Sequence, residues 1–253
     1  NMATCGTFEM AKILTEYKMI TTFHKYYSVE DYKKFFEDFN NPDYVVYTLG
    51  IRDEDIAKLK EMIDSDLIKN FSFVCVDVPN GYLERFLEAI KEVRALLPEH
   101  ILIAGNVVTN EMTEEIILAG ADIVKVGIRP GSACTTRRMT GVGYPQLSAV
   151  VQCADAAHGI SNDQGVGLVI ADGGQQYPSC VAKAFCGGAD FNMMGSLFSG
   201  FDESAGDLVE KDGKKYKEYF GSSSNKAMLE FYGKKDSHRA SEGRYVLMPY
   251  KGS

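Results

Sequence analysis

The feature that most constrains this chain is a repeated unit. A short apolar run ends in a polar residue, and a stretch with helical spacing follows. The apolar runs are Met19–Phe23, Tyr44–Tyr47, Phe71–Val76, Ile101–Ala104, Ile123–Ile128, Val166–Ala171 and Phe191–Met194. Between them lie helical stripes such as Ile56, Leu59, Ile63 and Leu67, or Leu83, Phe86, Ile90, Val93 and Leu97 before Pro98. Strands that are apolar on both faces and alternate with helices predict a parallel sheet covered by those helices. Lys25, Thr48, Asp77, Asn106, Cys134, Asp172 and Gly195 all fall just past the C-terminal end of a run. In a (β/α)8 barrel those ends meet on one face, which carries the active site. An open doubly wound sheet uses only a few strand ends, so the barrel is the better fit. The expected fold is therefore a TIM barrel of α/β class. It reads as lacking the first strand and the last helix, since seven strands are visible where a barrel takes eight; as unpaired edges are costly, either the first strand is missing from this sequence or another segment fills the gap.

Local signals place the helices. Ser28-Val29-Glu30-Asp31 is close to a capping box, and Pro178 suits a first helical turn. Phe8–Tyr17 shows an apolar stripe of Met10, Ile13, Leu14 and Tyr17. Tyr144–Ala157 is read with Leu147, Val150, Val151 and Ala154 inward. Ser161–Gly167 reads as a surface loop. Residues 198–243 change character, being rich in Gly, Ser and charge, with Asp212-Gly213 as a hairpin turn. The chain is expected to be one barrel domain, 1–253, with 198–243 as a flap over the catalytic face.

Composition narrows the partners. A net charge of −8 argues against a nucleic acid, which would want a basic face. It leaves room for a small anion, which backbone amides can hold. No apolar run is long enough to span a membrane. No secretory signal is visible, so a cytoplasmic protein is expected. The six cysteines show no CxxC pair and no zinc-ligand spacing. Cys75, Cys153 and Cys186 read as small core or helix residues of a reducing compartment. His24, His100 and His158 read as structural or surface residues.

The chemistry concentrates in Val126-Gly127-Ile128-Arg129-Pro130-Gly131-Ser132-Ala133-Cys134-Thr135-Thr136-Arg137-Arg138. A thiol among cations and loop amides ionises more readily, and the thiolate is the nucleophile. Cys134 is thus a candidate covalent catalyst on a nucleotide-binding loop.

This loop, with Thr140-Gly141-Val142-Gly143-Tyr144-Pro145-Gln146-Leu147-Ser148-Ala149-Val150, Cys153-Ala154-Asp155-Ala156-Ala157-His158-Gly159 and Ala171-Asp172-Gly173-Gly174, resembles the IMP dehydrogenase/GMP reductase family. The likeness runs from Asn1 to about Gly252. Phe23-His24-Lys25-Tyr26-Tyr27-Ser28, Tyr144-Pro145-Gln146, Gly221-Ser222-Ser223 and Arg239-Ala240-Ser241-Glu242-Gly243 are similar to the reductase branch. The resemblance implies NADPH-dependent reductive deamination of GMP to IMP and ammonia. In that scheme Cys134 attacks purine C2 to form a thioimidate, and Thr136 and Glu242 handle protons. It implies ribose recognition by Asp172. It implies substrate contacts from Ser132, Gly173, Gly174, Gly195, Ser196, Gly221, Ser222 and Ser223, with Arg239, Ala240, Ser241 and Gly243 closing over the purine. It puts Lys25, Asp77, Val78, Pro79 and His238 against the dinucleotide. It also implies K+ on backbone carbonyls of Arg129, Gly131, Cys134 and Arg137, and a homotetramer.

The sequence departs from the family pattern at Ala3 (Asp in the family), Arg129 (Gly), Ser196 (Gly), Ser222 (Met) and His238 (Tyr). Three readings stay open: the reductase, a dehydrogenase oxidising IMP to XMP with NAD, and a nucleotide-binding homologue without turnover. Blander roles also suit the residues. Thr136 could cap its loop, Asp172 could be a turn residue, Glu242 and Arg239 could be a solvated pair, and Lys25 could be an exposed charge.

Overall fold

A computed structural model describes residues 1–128, 141–162, 165–221 and 245–253. Its centre is a parallel sheet of seven strands: β1 (Thr21–Thr22), β2 (Val45–Leu49), β3 (Phe73–Asp77), β4 (Ile101–Val107), β5 (Ile123–Val126), β8 (Leu168–Asp172) and β9 (Phe191–Met193). They pair in that order, with β1 and β9 ending the sheet. The helices are α1 (Phe8–Glu16), α2 (Val29–Asp38), α3 (Asp53–Asp64), α4 (Glu84–Leu96), α5 (Asn110–Leu118), α6 (Gln146–Gly159) and α7 (Pro178–Cys186). The architecture is a partial (β/α)8 barrel.

The local signals act as their chemistry requires. Ser28 Oγ accepts from the Asp31 amide at 3.1 Å, and Asp31 Oδ2 accepts from the Ser28 amide at 2.8 Å, which closes the capping box of α2. Pro178 occupies the first turn of α7, where a missing N–H costs little.

Strand alternation splits the apolar residues into two sets. One strand face, with Tyr47, Leu49 and Val124, packs under the helices, which bring Leu59, Phe86, Ile90 and Ile116 against it. Burying each large side chain there contributes about 1.5–3 kcal/mol. The other face fills the barrel interior with Val46, Cys75, Ile103, Ile123 and Ile170, and Phe73, Leu168 and Met193 pack against them. Two residues further along, the same face turns polar: Thr48, Asp77, Lys125 and Asp172 follow Val46, Cys75, Ile123 and Ile170. The interior is thus a packed apolar layer with a charged layer above it, at the C-terminal ends of the strands.

The two-residue β1 is a weak edge by itself. It is held by a ring cluster: Phe8 stacks on Tyr27 with centroids 3.8 Å apart, and Phe23, fully buried, meets Phe8, Phe35 and Phe71 edge-on.

Several sequence expectations change. Ser161–Gly167 contains a small antiparallel pair, β6 (Ser161–Asn162) with β7 (Gly165–Val166). The predicted hairpin at Asp212-Gly213 forms between β10 (Leu208–Lys211) and β11 (Lys214–Phe220), and β12 (Tyr245–Pro249) adds a third strand to it. On α6, Val150 and Ala154 are inward, but Leu147 and Val151 are exposed; Ala149, Cys153 and Ala157 take the buried positions. On α1, Met10 and Ala11 are buried, whereas Ile13 and Tyr17 are exposed. A tightly packed helix–sheet contact selects small residues, which a stripe of large apolar residues does not reveal. Cys75 and Cys153 are buried, and Cys186 is exposed at the end of α7.

Candidate active site

The charged layer is built around Lys125, which is 1% exposed. It lies on β5 directly across from Gly105 of β4, and Gly105 lies across from Asp77 of β3. A Cβ on Gly105 would stand 2.5 Å from the Lys125 Cβ. The glycine therefore lets the lysine stem cross β4. Lys125 Nζ donates to Asp77 Oδ1 and, at 3.2 Å, to Asn1 Oδ1, and it lies 3.7 Å from Asp172 Oδ2. Burial alone would raise the Asp77 carboxyl, but the Lys125 ammonium overcomes it and holds Asp77 below the usual carboxylate range. Burial likewise disfavours the ammonium, yet Asp77, Cys75 and Asp172 hold Lys125 above the usual lysine range. Asp77 and Lys125 are therefore both charged near neutrality.

Asp172 ends β8 and is fixed from a second side. Asn106 Nδ2 donates to Asp172 Oδ2 at 2.7 Å and to the Gly127 carbonyl at 2.8 Å. Asn106 is the extra residue of a bulge: Gly105 pairs with Lys125, and Val107 with Val126. Bulges re-aim side chains next to sites, as this one does. Gln146, opening α6, donates to the Val126 carbonyl at 2.8 Å and the Asp172 carbonyl at 3.4 Å, tying the ends of β5 and β8 together.

Past Asp172, Gly173 and Gly174 adopt φ of +87° and +85°, a region side chains disfavour. Gly195 and Ser196 follow β9, where Ser196–Phe198 forms a short 3-10 turn. Among the described residues, the amides of Gly174, Gly195 and Ser196 donate to no protein acceptor. Donors at the last two strand ends of such a barrel, beside a short extra helix, suit a phosphate. The carbonyl of Gly195 accepts from Cys5 Sγ at 3.2 Å, and the Tyr219 hydroxyl of β11 meets Met2 Sδ at 3.3 Å. The three-stranded sheet thus buttresses this loop. Gly221 follows directly on β11.

At the other end of the sheet, Lys25 follows β1 and pairs with Asp55 at 3.4 Å. Lys58 Nζ donates to the carbonyls of Lys25 at 2.5 Å and Tyr27 at 3.0 Å, which fixes that loop. Val78 is placed with its side chain in the core and both backbone groups bonded to β4, at 2.9 Å to the Gly105 carbonyl and 3.0 Å from the Asn106 amide. Its part at this face is to set Asp77 and the exposed Pro79 at the rim. Ala3 is buried, and with Thr7, His24 and Ser204 it lines a cleft beside α1. His24 is buried and stacks on Tyr27 at 4.0 Å; His100 meets the Ile68 carbonyl, and His158 meets Asp190. Burial pushes His24 down to about 4, so it is neutral near pH 7.

Ser132, Cys134, Thr136, Ser222, Ser223, His238, Arg239, Ala240, Ser241, Glu242 and Gly243, with Arg129, Gly131 and Arg137 of the expected K+ set, lie outside the described residues. Among those that are described, Asp172, Gly173, Gly174, Gly195 and Ser196 gather at the ends of the adjoining strands β8 and β9, and Asp77 and Lys25 stand at the ends of β3 and β1 in the same sheet. The sequence reading assigns no task to Lys125 or Asn1, and it shows Gln146, inside a family motif, and Asn106, past a strand end, without revealing what either does. A usable signal existed for Lys125: a lone charge inside the apolar run Ile123-Val124-Lys125-Val126. No cluster of three or more metal-ligating side chains occurs among the described residues, nor does any helix long and apolar enough to cross a membrane.

A fixed carboxylate, left-handed glycines and amides with no acceptor among the described residues, on one rim, have the chemistry to hold a ribose and a phosphate. A family model described as IMP dehydrogenase / GMP reductase domain matches residues 1–253. The chain is 52% identical to a GMP reductase of Caenorhabditis elegans over 257 residues, covering 100% of this chain and 69% of that protein. It is 51% identical to GMP reductase 2 of Bos taurus and 50% identical to GMP reductase 2 of Homo sapiens, with 100% of this chain and 71% of each relative covered. The barrel, its charged layer and these full-chain matches agree, and the chain belongs to the IMP dehydrogenase/GMP reductase family.

Proposed function

We propose that this chain catalyses the reductive deamination of GMP to IMP and ammonia. The observation that carries this reading is the likeness of 50–52%, across the entire chain, to proteins named GMP reductase. The dehydrogenase direction is not favoured by these relatives.

In this reading Asp172, held by Asn106 and Lys125, accepts the ribose hydroxyls. The amides of Ser132, Gly174, Gly195, Ser196, Gly221, Ser222 and Ser223 hold the 5′-phosphate, with Gly173 shaping the turn. The Cys134 thiolate forms a bond to purine C2. The C2–N2 bond breaks, and the amino group leaves as ammonia after taking a proton relayed through Thr136 and Glu242. Arg239, Ala240, Ser241 and Gly243 close over the base. When bound, NADPH would supply a hydride to C2; the C2–sulfur bond then breaks, and Cys134 leaves as the thiolate as IMP is released. The residues present fit a dinucleotide: Lys25 after β1 and Asp77 at the end of β3 keep 24% and 32% of their side chains exposed, and Pro79 is exposed two residues beyond Asp77. Lys25, Asp77, Pro79 and His238 would hold it, with Val78 behind them. A K+ on the carbonyls of Arg129, Gly131, Cys134 and Arg137, the flap over 198–243 and a homotetrameric assembly complete the proposal.

The test is to incubate the protein with GMP and NADPH and to follow ammonia, IMP and loss of NADPH absorbance. All three should move together. Formation of NADH from IMP and NAD instead would overturn the reading. Cys134→Ala should abolish turnover while GMP binding persists; undiminished turnover would defeat the covalent step.

A further inference from the structure

Lys125 is the largest investment of charge inside the barrel, and the mechanism above does not need it to touch a ligand. Its side chain is 2% exposed. A buried ammonium is costly unless anions surround it, and a hydrophobic side chain of similar volume would hold a barrel interior as well or better. What the lysine offers instead is geometry. Its ammonium carries three donors. Two of them go to Asp77 Oδ1 and, at 3.2 Å, to Asn1 Oδ1, and the ammonium pairs electrostatically with Asp172 Oδ2 at 3.7 Å. Asp77 ends β3 and Asp172 ends β8, with β4 and β5 between them in the sheet. No backbone ladder joins those two strand ends directly, so the lysine is the direct link between their carboxylates.

The second support is steric. The crossing exists only because position 105 is glycine, since a Cβ there would stand 2.5 Å from both the Lys125 Cβ and the Lys125 carbonyl oxygen. The third is Asn106, which holds the same Asp172 oxygen from the far side at 2.7 Å. Asp172 Oδ2 is therefore engaged by both Asn106 and Lys125, and among the described residues Oδ1 accepts no hydrogen bond.

We propose that Lys125 is a positioning residue that locks the Asp77 and Asp172 carboxylates to one another. The cofactor-side and nucleotide-side halves of the site are thereby built as one rigid unit. This rests on the reading of Asp172 as the ribose acceptor and Asp77 as a dinucleotide contact.

A double-mutant cycle tests it. Binding of GMP and of NADPH is measured by calorimetry for the parent, Lys125→Met, Asp172→Asn and the double variant, with circular dichroism as the folding control. Lys125→Met should weaken GMP by about tenfold and NADPH by a similar factor. In the Asp172→Asn background the same change should leave GMP affinity nearly unaltered, because its route of action is gone. A purely structural lysine would instead give additive losses, and that result overturns the proposal, as does parent-like affinity in a folded Lys125→Met. Should Lys125→Met fail to fold, Lys125→Met with Asp77→Asn removes the stranded carboxylate. That pair should fold and still bind GMP weakly; failure to fold, or parent-like GMP affinity, refutes the positioning role. A parent protein that binds neither GMP nor NADPH would sink the functional reading itself, which separates the two failures.

Discussion

Replacing Asn106 by Ala should loosen the site and the barrel together. The Asn106 amide makes two bonds, to the Gly127 carbonyl at 2.8 Å and to Asp172 Oδ2 at 2.7 Å. Asn106 is 8% exposed, so water cannot freely replace the lost donor. A bond to a neutral acceptor contributes about 0.5–1.5 kcal/mol, and one to a charged acceptor about 1.5–3 kcal/mol. The expected loss of stability is therefore about 2–4 kcal/mol, read from urea unfolding. Asp172 would keep Lys125 on one side but lose its fixed orientation, and GMP affinity by calorimetry should fall by about tenfold, equivalent to about 1.4 kcal/mol. Asn106→Asp sharpens the test. It sets an oxygen against the Asp172 carboxylate in place of a donor, and it should be worse than Ala on both measures. Stability within about 0.5 kcal/mol of the parent together with unchanged GMP affinity in Asn106→Ala would refute the reasoning.

Other perturbations read different parts of the same framework. Gly105→Val should prevent folding or cost more than about 4 kcal/mol, since its side chain would enter the Lys125 backbone and stem; a soluble, parent-like thermal transition would contradict this. Arg94 donates to the Gly120, Leu97, Pro98 and His100 carbonyls and to Asp122, so Arg94→Lys, which cannot reproduce that fork, should cost about 2–4 kcal/mol while kcat is unchanged; the check is urea unfolding beside steady-state kinetics. His24 titrates near 4 when folded because burial disfavours its charged form. The unfolded chain therefore binds the extra proton first, and the stability His24 gives is complete above about pH 6.5 and lost as pH falls towards 4. Between about pH 6.5 and 5 this amounts to about 2 kcal/mol, a loss that His24→Gln should largely remove from the pH profile of unfolding.

Strand order and the catalytic face were legible because both follow from local chemistry. Apolar runs with polar ends, separated by helical stripes, admit few parallel folds, and all seven expected strands are present in the sheet. The caps at Ser28 and Pro178 and the turn at Asp212-Gly213 are likewise local, since each depends on side chains within a few residues of the backbone they serve. Which helix residues face inward was less legible. Leu147 and Val151 are exposed and Ala149 and Ala157 buried, because close helix–sheet approach selects for small volume rather than for apolarity alone.

The sequence by itself determined the alternation, the polar rim and the motifs that place this chain in its family. Only the tertiary structure decided how the rim is wired. Lys125, Gly105, Asp77, Asn106 and Asp172 come from four strands, and their partnerships depend on register: a bulge at Asn106 and a missing Cβ at Gly105. Register is a property of paired strands, so no single stretch of the chain could announce that a buried lysine would hold two distant carboxylates in place.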